Sequence, residues 1–92
     1  MASKRIRFDV SADSGIRAYW IAVDDRDVQS GDTVSLTVGP DHHLAWWMVG
    51  SAGAAITITA TEVSSGNVAF TRKSKIPDGQ TQGAGVKYFV LS

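Results

Sequence analysis

From residue 55 to residue 62 the chain alternates without a break. Ile56, Ile58 and Ala60 share one parity, and Thr57, Thr59 and Thr61 share the other. A period of two is the mark of a strand with one buried face, because successive side chains leave a strand on opposite sides. No window of the sequence keeps the 3.6-residue period of a helix. Alternation recurs in residues 4–10, with Ile6, Phe8 and Val10 inward, and in residues 33–38, with Val34, Leu36 and Val38 inward. Residues 16–23 and 43–49 are apolar on both faces, residues 68–72 place Val68 and Phe70 inward, and residues 86–91 close the chain. Turn residues separate these runs at short intervals: 11–15, the polar loop 24–32, Gly39-Pro40-Asp41, 50–53, Ser64-Ser65-Gly66-Asn67, and a long loop over 76–85.

Seven short strands at this spacing predict one all-β domain over residues 1–92. The expected form is a two-sheet antiparallel sandwich, immunoglobulin-like or fibronectin-like in outline, with a small closed barrel as the alternative. The chain has no cysteine, so the Cys…Trp…Cys pattern of immunoglobulin domains is absent and the likeness is one of architecture. A chain of 92 residues buries roughly 60–65% of its unfolded surface, enough for one modest core.

In a sandwich each strand has one core face, so strands with two apolar faces need a reason. In 16–23, Tyr19, Ile21 and Val23 can face the core, which leaves Ala18, Trp20 and Ala22 outside. In 43–49, Leu44, Trp46 and Met48 can face the core, which leaves Ala45, Trp47 and Val49 outside. In the last strand Val86, Tyr88 and Val90 take one face, and Phe89 and Leu91 are left over. Trp20, Trp47 and Phe89 are therefore the expected ligand- or partner-binding residues. Large rings between small neighbours form the kind of apolar patch that marks an interface. Such a patch suits a protein partner or a second copy of the chain, since Trp is enriched in interface hot spots. A glycan stacking on the indoles, with Asp or Gln side chains from nearby loops, is the alternative.

No constellation of reactive residues competes equally with this patch. Asp41-His42-His43 resembles a metal or acid–base cluster, but neighbouring strand residues diverge and no third histidine exists. Both imidazoles read as exposed turn residues. Asp24, Asp25, Asp27 and Asp32 crowd one loop, as calcium sites do. Asp25-Arg26-Asp27 copies the start of an EF-hand loop, yet its sixth and twelfth positions hold Ser30 and Leu36 instead of glycine and glutamate. Asp24, Asp25, Asp27, His42 and His43 are thus weak metal candidates, and no cofactor is expected. Glu62 is the only glutamate and no Gly-x-Ser-x-Gly element occurs, so neither paired-carboxylate nor serine-nucleophile chemistry has its residues in place. Catalysis is not expected.

Nine basic residues balance nine acidic ones, so no global field draws the chain to nucleic acid or an anionic membrane. The basic runs Lys4-Arg5-Ile6-Arg7 and Arg72-Lys73-Ser74-Lys75 read as charges that guard exposed strands. Gly83-Ala84-Gly85 follows no strand and opens no helix, so it reads as a flexible hairpin or bulge. The start of the chain lacks the apolar core of a signal peptide, the longest apolar run is too short to span a bilayer, and the lack of cysteine favours the cytoplasm.

Overall fold

The structure is a computed structural model that describes residues 2–92. Among them there are eight strands: β1 (Ser3–Ala12), β2 (Ile16–Val23), β3 (Arg26–Val28), β4 (Asp32–Thr37), β5 (Asp41–Gly50), β6 (Ala55–Glu62), β7 (Val68–Lys75) and β8 (Gln82–Val90). They form two antiparallel four-stranded sheets, ordered β4-β1-β6-β7 and β3-β2-β5-β8. The sheets pack as a sandwich and do not close into a barrel. In immunoglobulin domains the first two strands are neighbours in one sheet. Here β1 and β2 lie in opposite sheets, so the likeness stops at architecture.

The core forms where the alternation places it. Ile6 and Phe8 of β1 and Ile56, Ile58 and Ala60 of β6 meet Ile21, Val23, Leu44 and Met48 of the other sheet. Each inward side chain that leaves water contributes in proportion to its apolar area, so these facing parities set the register of both sheets.

The polar loop 24–32 proves to hold a strand. Val23 pairs with Arg26, so Asp24 and Asp25 are the two central residues of a tight hairpin. Both have positive φ, 49° and 68°. That is the geometry two-residue hairpins demand, and Asp tolerates it better than most residues.

Two faces differ from expectation. Val68 is 57% exposed, because a bulge opposite Thr61 sets it on the outer side of β7 while Phe70 still packs on the core. In β8 the parity is reversed. Phe89 is 9% exposed and Leu91 is buried, whereas Val86, Tyr88 and Val90 point outward.

The long loop is also shorter than expected. Gly83 and Gly85 lie inside β8, on its inner side, and neither serves a flexible hairpin. A Cβ on Gly85 would sit 2.7 Å from Cε2 of Trp46, and one on Gly83 would sit 2.8 Å from Cε of Met48. These positions have no side chain because core residues of β5 occupy the space.

Candidate functional site

The two outer faces of the sandwich have opposite character. The face of β4-β1-β6-β7 carries Thr57, Thr59, Arg5, Arg7 and Lys73 around a buried Thr61 and one exposed apolar residue, Val68, a mostly polar surface of the kind expected of a solvated sheet. The outer face of β3-β2-β5-β8 carries aromatic and small apolar residues. Strand register arranges them in rows. Trp20 pairs with Trp47, which pairs with Ala84. Ala22 pairs with Ala45, which pairs with Val86. His43 pairs with Tyr88.

Trp20 and Trp47 stack directly, with ring centroids 4.0 Å apart and planes tilted by 34°. Such pairs contribute beyond their burial, by about 0.5–1.5 kcal/mol. Trp47 is half-buried, and its Nε1–H donates to Oε1 of Gln82 at 3.1 Å. Trp20 remains 54% exposed. Its outer side borders a shallow depression lined by Asp27, Gln29 and Ser30. Trp46, one residue from Trp47, is 4% exposed and belongs to the core.

Phe89 does not join this surface. Its ring lies inside, 4.9 Å from that of Phe70 and 5.6 Å from that of His42. Phe89 shares its inward parity with Lys87. On an edge strand a lysine can lay its stem along the core and still hold its ammonium at the rim. The Lys87 ammonium reaches over the Phe70 ring at 5.4 Å. Tyr88, 70% exposed, stands on the outer face in place of Phe89, with its ring 6.1 Å from that of His43.

Four of the five weak metal candidates form a clasp, Asp24 with His42, and beside it a surface pair, Asp25 with His43, whose Nδ1 lies 3.5 Å from Oδ1 of Asp24. β5 begins at Asp41, earlier than expected, so His42 shares the inward parity of Leu44, Trp46 and Met48. It is buried, which corrects its reading as an exposed turn residue. Its Nδ1 lies 2.6 Å from Oδ2 of Asp24, and its Nε2 lies 2.7 Å from the Thr37 carbonyl oxygen. A carboxylate and a carbonyl can only accept, so the ring makes both bonds together only as an imidazolium. The bond to Thr37 raises its pKa, burial opposes the rise, and the bond and charge of Asp24 add to it. For Asp24 burial acts upward, but the His42 bond, the His43 N–H and the two imidazole charges outweigh it and leave the pKa lowered. Asp24 and His42 belong to one sheet and Thr37 to the other, so the clasp fastens the sheets together at one end.

His43 faces outward, with Nε2 3.2 Å from Oδ1 of Asp25. Asp27 is exposed on β3 and touches neither histidine pair. Among the described residues no three histidine, aspartate or glutamate side chains converge as a metal shell.

Comparison with protein-family models, with curated proteins and with solved structures found no match. The geometry of the two faces is therefore what the functional reading rests on.

Proposed function

We propose that this chain is a non-catalytic protein-recognition module whose working surface is the outer face of β3-β2-β5-β8. One observation carries the reading: a solvent-facing sheet that is aromatic and apolar where its counterpart is threonine-rich and charged. Exposed apolar patches of this kind raise the free energy of the free molecule and are relieved by a partner. The alanine row between the Trp20–Trp47 pair and Tyr88 is a shallow floor between aromatic walls.

A photoreactive phenylalanine at position 88 tests this, with the same residue at position 73 on the opposite face as control. In a lysate of the source cells, position 88 should give a discrete covalent adduct and position 73 should not. Excess unlabelled chain should suppress the adduct, and excess chain carrying Trp20→Ala and Trp47→Ala should not. Equal labelling from both positions, or no adduct from 88, contradicts the reading.

A glycan is the second reading, favoured by the depression beside Trp20 with its Asp27, Gln29 and Ser30. Against it, the indoles stack on each other, which leaves no flat two-ring platform for a sugar chain. A shift of tryptophan emission on glycan titration, without a protein adduct, would select it.

A further inference from the structure

Each sheet leaves two strands unpaired on one side: β4 and β7 in one, β3 and β8 in the other. Unpaired strands expose backbone donors and acceptors, and proteins usually blunt them by shortness or charge. β3 has three residues, and β7 carries Arg72, Lys73 and Lys75. β8 has nine residues and only one charge, Lys87.

The ladder shows which β8 groups are free. Gly50 N–H donates to the Thr81 carbonyl in continuation of the β5–β8 register, whose last pair is Val49 with Gln82. Antiparallel ladders alternate, so Gly83, Gly85, Lys87 and Phe89 bond to β5. On the other side of β5, Asp24 N–H donates to the His43 carbonyl, which gives odd-numbered β5 residues to β2 and leaves even-numbered ones for β8. The N–H and C=O groups of Ala84, Val86, Tyr88 and Val90 therefore point out of the sheet. The side chains of these four residues are on the aromatic face.

Charge decides the occupant. Behind this edge, between β7 and β8, Arg72 lies over the Trp46 ring at 5.5 Å and Lys87 over the Phe70 ring at 5.4 Å. Lys73 and Lys75 take the other parity of β7, on the opposite outer face, and Asp78 is the one acidic residue in the connection between the two strands. A second copy paired β8 to β8 would bring two such cationic margins together. An inward lysine on an edge strand blocks that kind of self-pairing.

We infer that β8 is a docking edge for an extended segment of a partner protein, apolar at alternate positions and acidic between them, which adds as a fifth strand to the β3-β2-β5-β8 sheet. Main-chain bonds hold the segment, its apolar side chains continue the face of Val86 and Tyr88, and its carboxylates meet Lys87 and Arg72. The inference rests on the reading of this face as the recognition surface, and it names how the partner is held.

The probe is an end-blocked peptide of alternating valine and glutamate, matched in length to β8, with a valine–lysine peptide as control. The measurement is amide hydrogen exchange resolved by residue. The valine–glutamate peptide should slow exchange at Ala84, Val86, Tyr88 and Val90 about tenfold once it is at about ten times its Kd. The lysine peptide should not, and Lys87→Glu should exchange the two preferences. Val86→Pro removes an outward N–H without breaking a β5 bond, so it should abolish protection while the fold persists. Protection without peptide that grows with protein concentration identifies a second copy and overturns the proposal. So does equal protection by both peptides, or exchange at the free rate under millimolar valine–glutamate peptide. If binding perturbs the Trp20 and Trp47 indole resonances while the β8 amides exchange freely, the edge fails and the face stands.

Discussion

Alanine at position 46 should lower the unfolding free energy by about 3–5 kcal/mol, whereas alanine at position 20 should lower it by only about 1 kcal/mol. The two indoles sit on neighbouring strands of one sheet but on opposite sides of it. Trp46 fills the space between the sheets, where Gly85 has given up its side chain to admit the ring. Removing that ring leaves a cavity that the surrounding strands cannot close. Trp20 loses chiefly its stacking on Trp47. Trp46→Phe should cost much less than Trp46→Ala, because Nε1 of Trp46 is buried without a hydrogen-bond partner and phenylalanine removes that orphan donor. Urea denaturation of the three variants checks the order. Equal losses at positions 20 and 46 would mean that the strand register is wrong.

Stability should also fall as pH rises over the interval from below the unfolded histidine value, about 6.5, to above the raised folded value. The His42 pKa is raised in the folded state. Its contribution is therefore complete below the unfolded histidine value, about 6.5, and is lost as pH climbs through the raised folded value. Above that value the neutral ring keeps one proton, and either the Thr37 carbonyl or the Asp24 carboxylate loses its donor. Asp24 behaves in the opposite sense. Its lowered pKa adds stability above the unfolded carboxyl value, and that stability is lost as pH falls through the folded one. The clasp thus works best between the two ranges, on mildly acidic ground. Thermal melts across this interval should show the decline in the native chain. In His42→Phe, whose ring would lie beside Phe89, the slope from this group should vanish. A native chain equally stable at both ends of the interval would contradict the imidazolium assignment.

Much of the fold was legible because alternation is a physical requirement of a half-buried strand. The parities of β1, β2, β4, β5 and β6 follow from their own residues, and they place Trp46 inside and Trp20 and Trp47 outside. The misreadings occur where a neighbour overrides the local pattern. β3 is three residues long, and an Asp-Asp turn lacks the glycine that usually announces a hairpin, so this stretch of sequence reads as loop. β8 offers two equally apolar parities, Val86-Tyr88-Val90 and Phe89-Leu91. The register against β5, with Gly83 and Gly85 on the inner side opposite Met48 and Trp46, decides between them. His42 could have been placed inward by running the parity of Leu44 back two residues toward the turn at Gly39-Pro40, but the end of a turn carries no mark in the sequence. The aromatic face was therefore legible in Trp20 and Trp47, while Tyr88 emerges only from the register of β8 against β5.

The central claim is that the Trp20–Trp47 face is uncovered in the free molecule and available to a partner. Fluorotryptophan incorporated at all three positions gives three fluorine resonances, assigned by single Trp→Phe substitutions. A soluble paramagnetic agent should then broaden Trp20 most, Trp47 less and Trp46 hardly at all, in the order of their exposure. The order should hold on dilution. A Trp20 resonance as protected as that of Trp46 would show the face to be covered and would contradict the account.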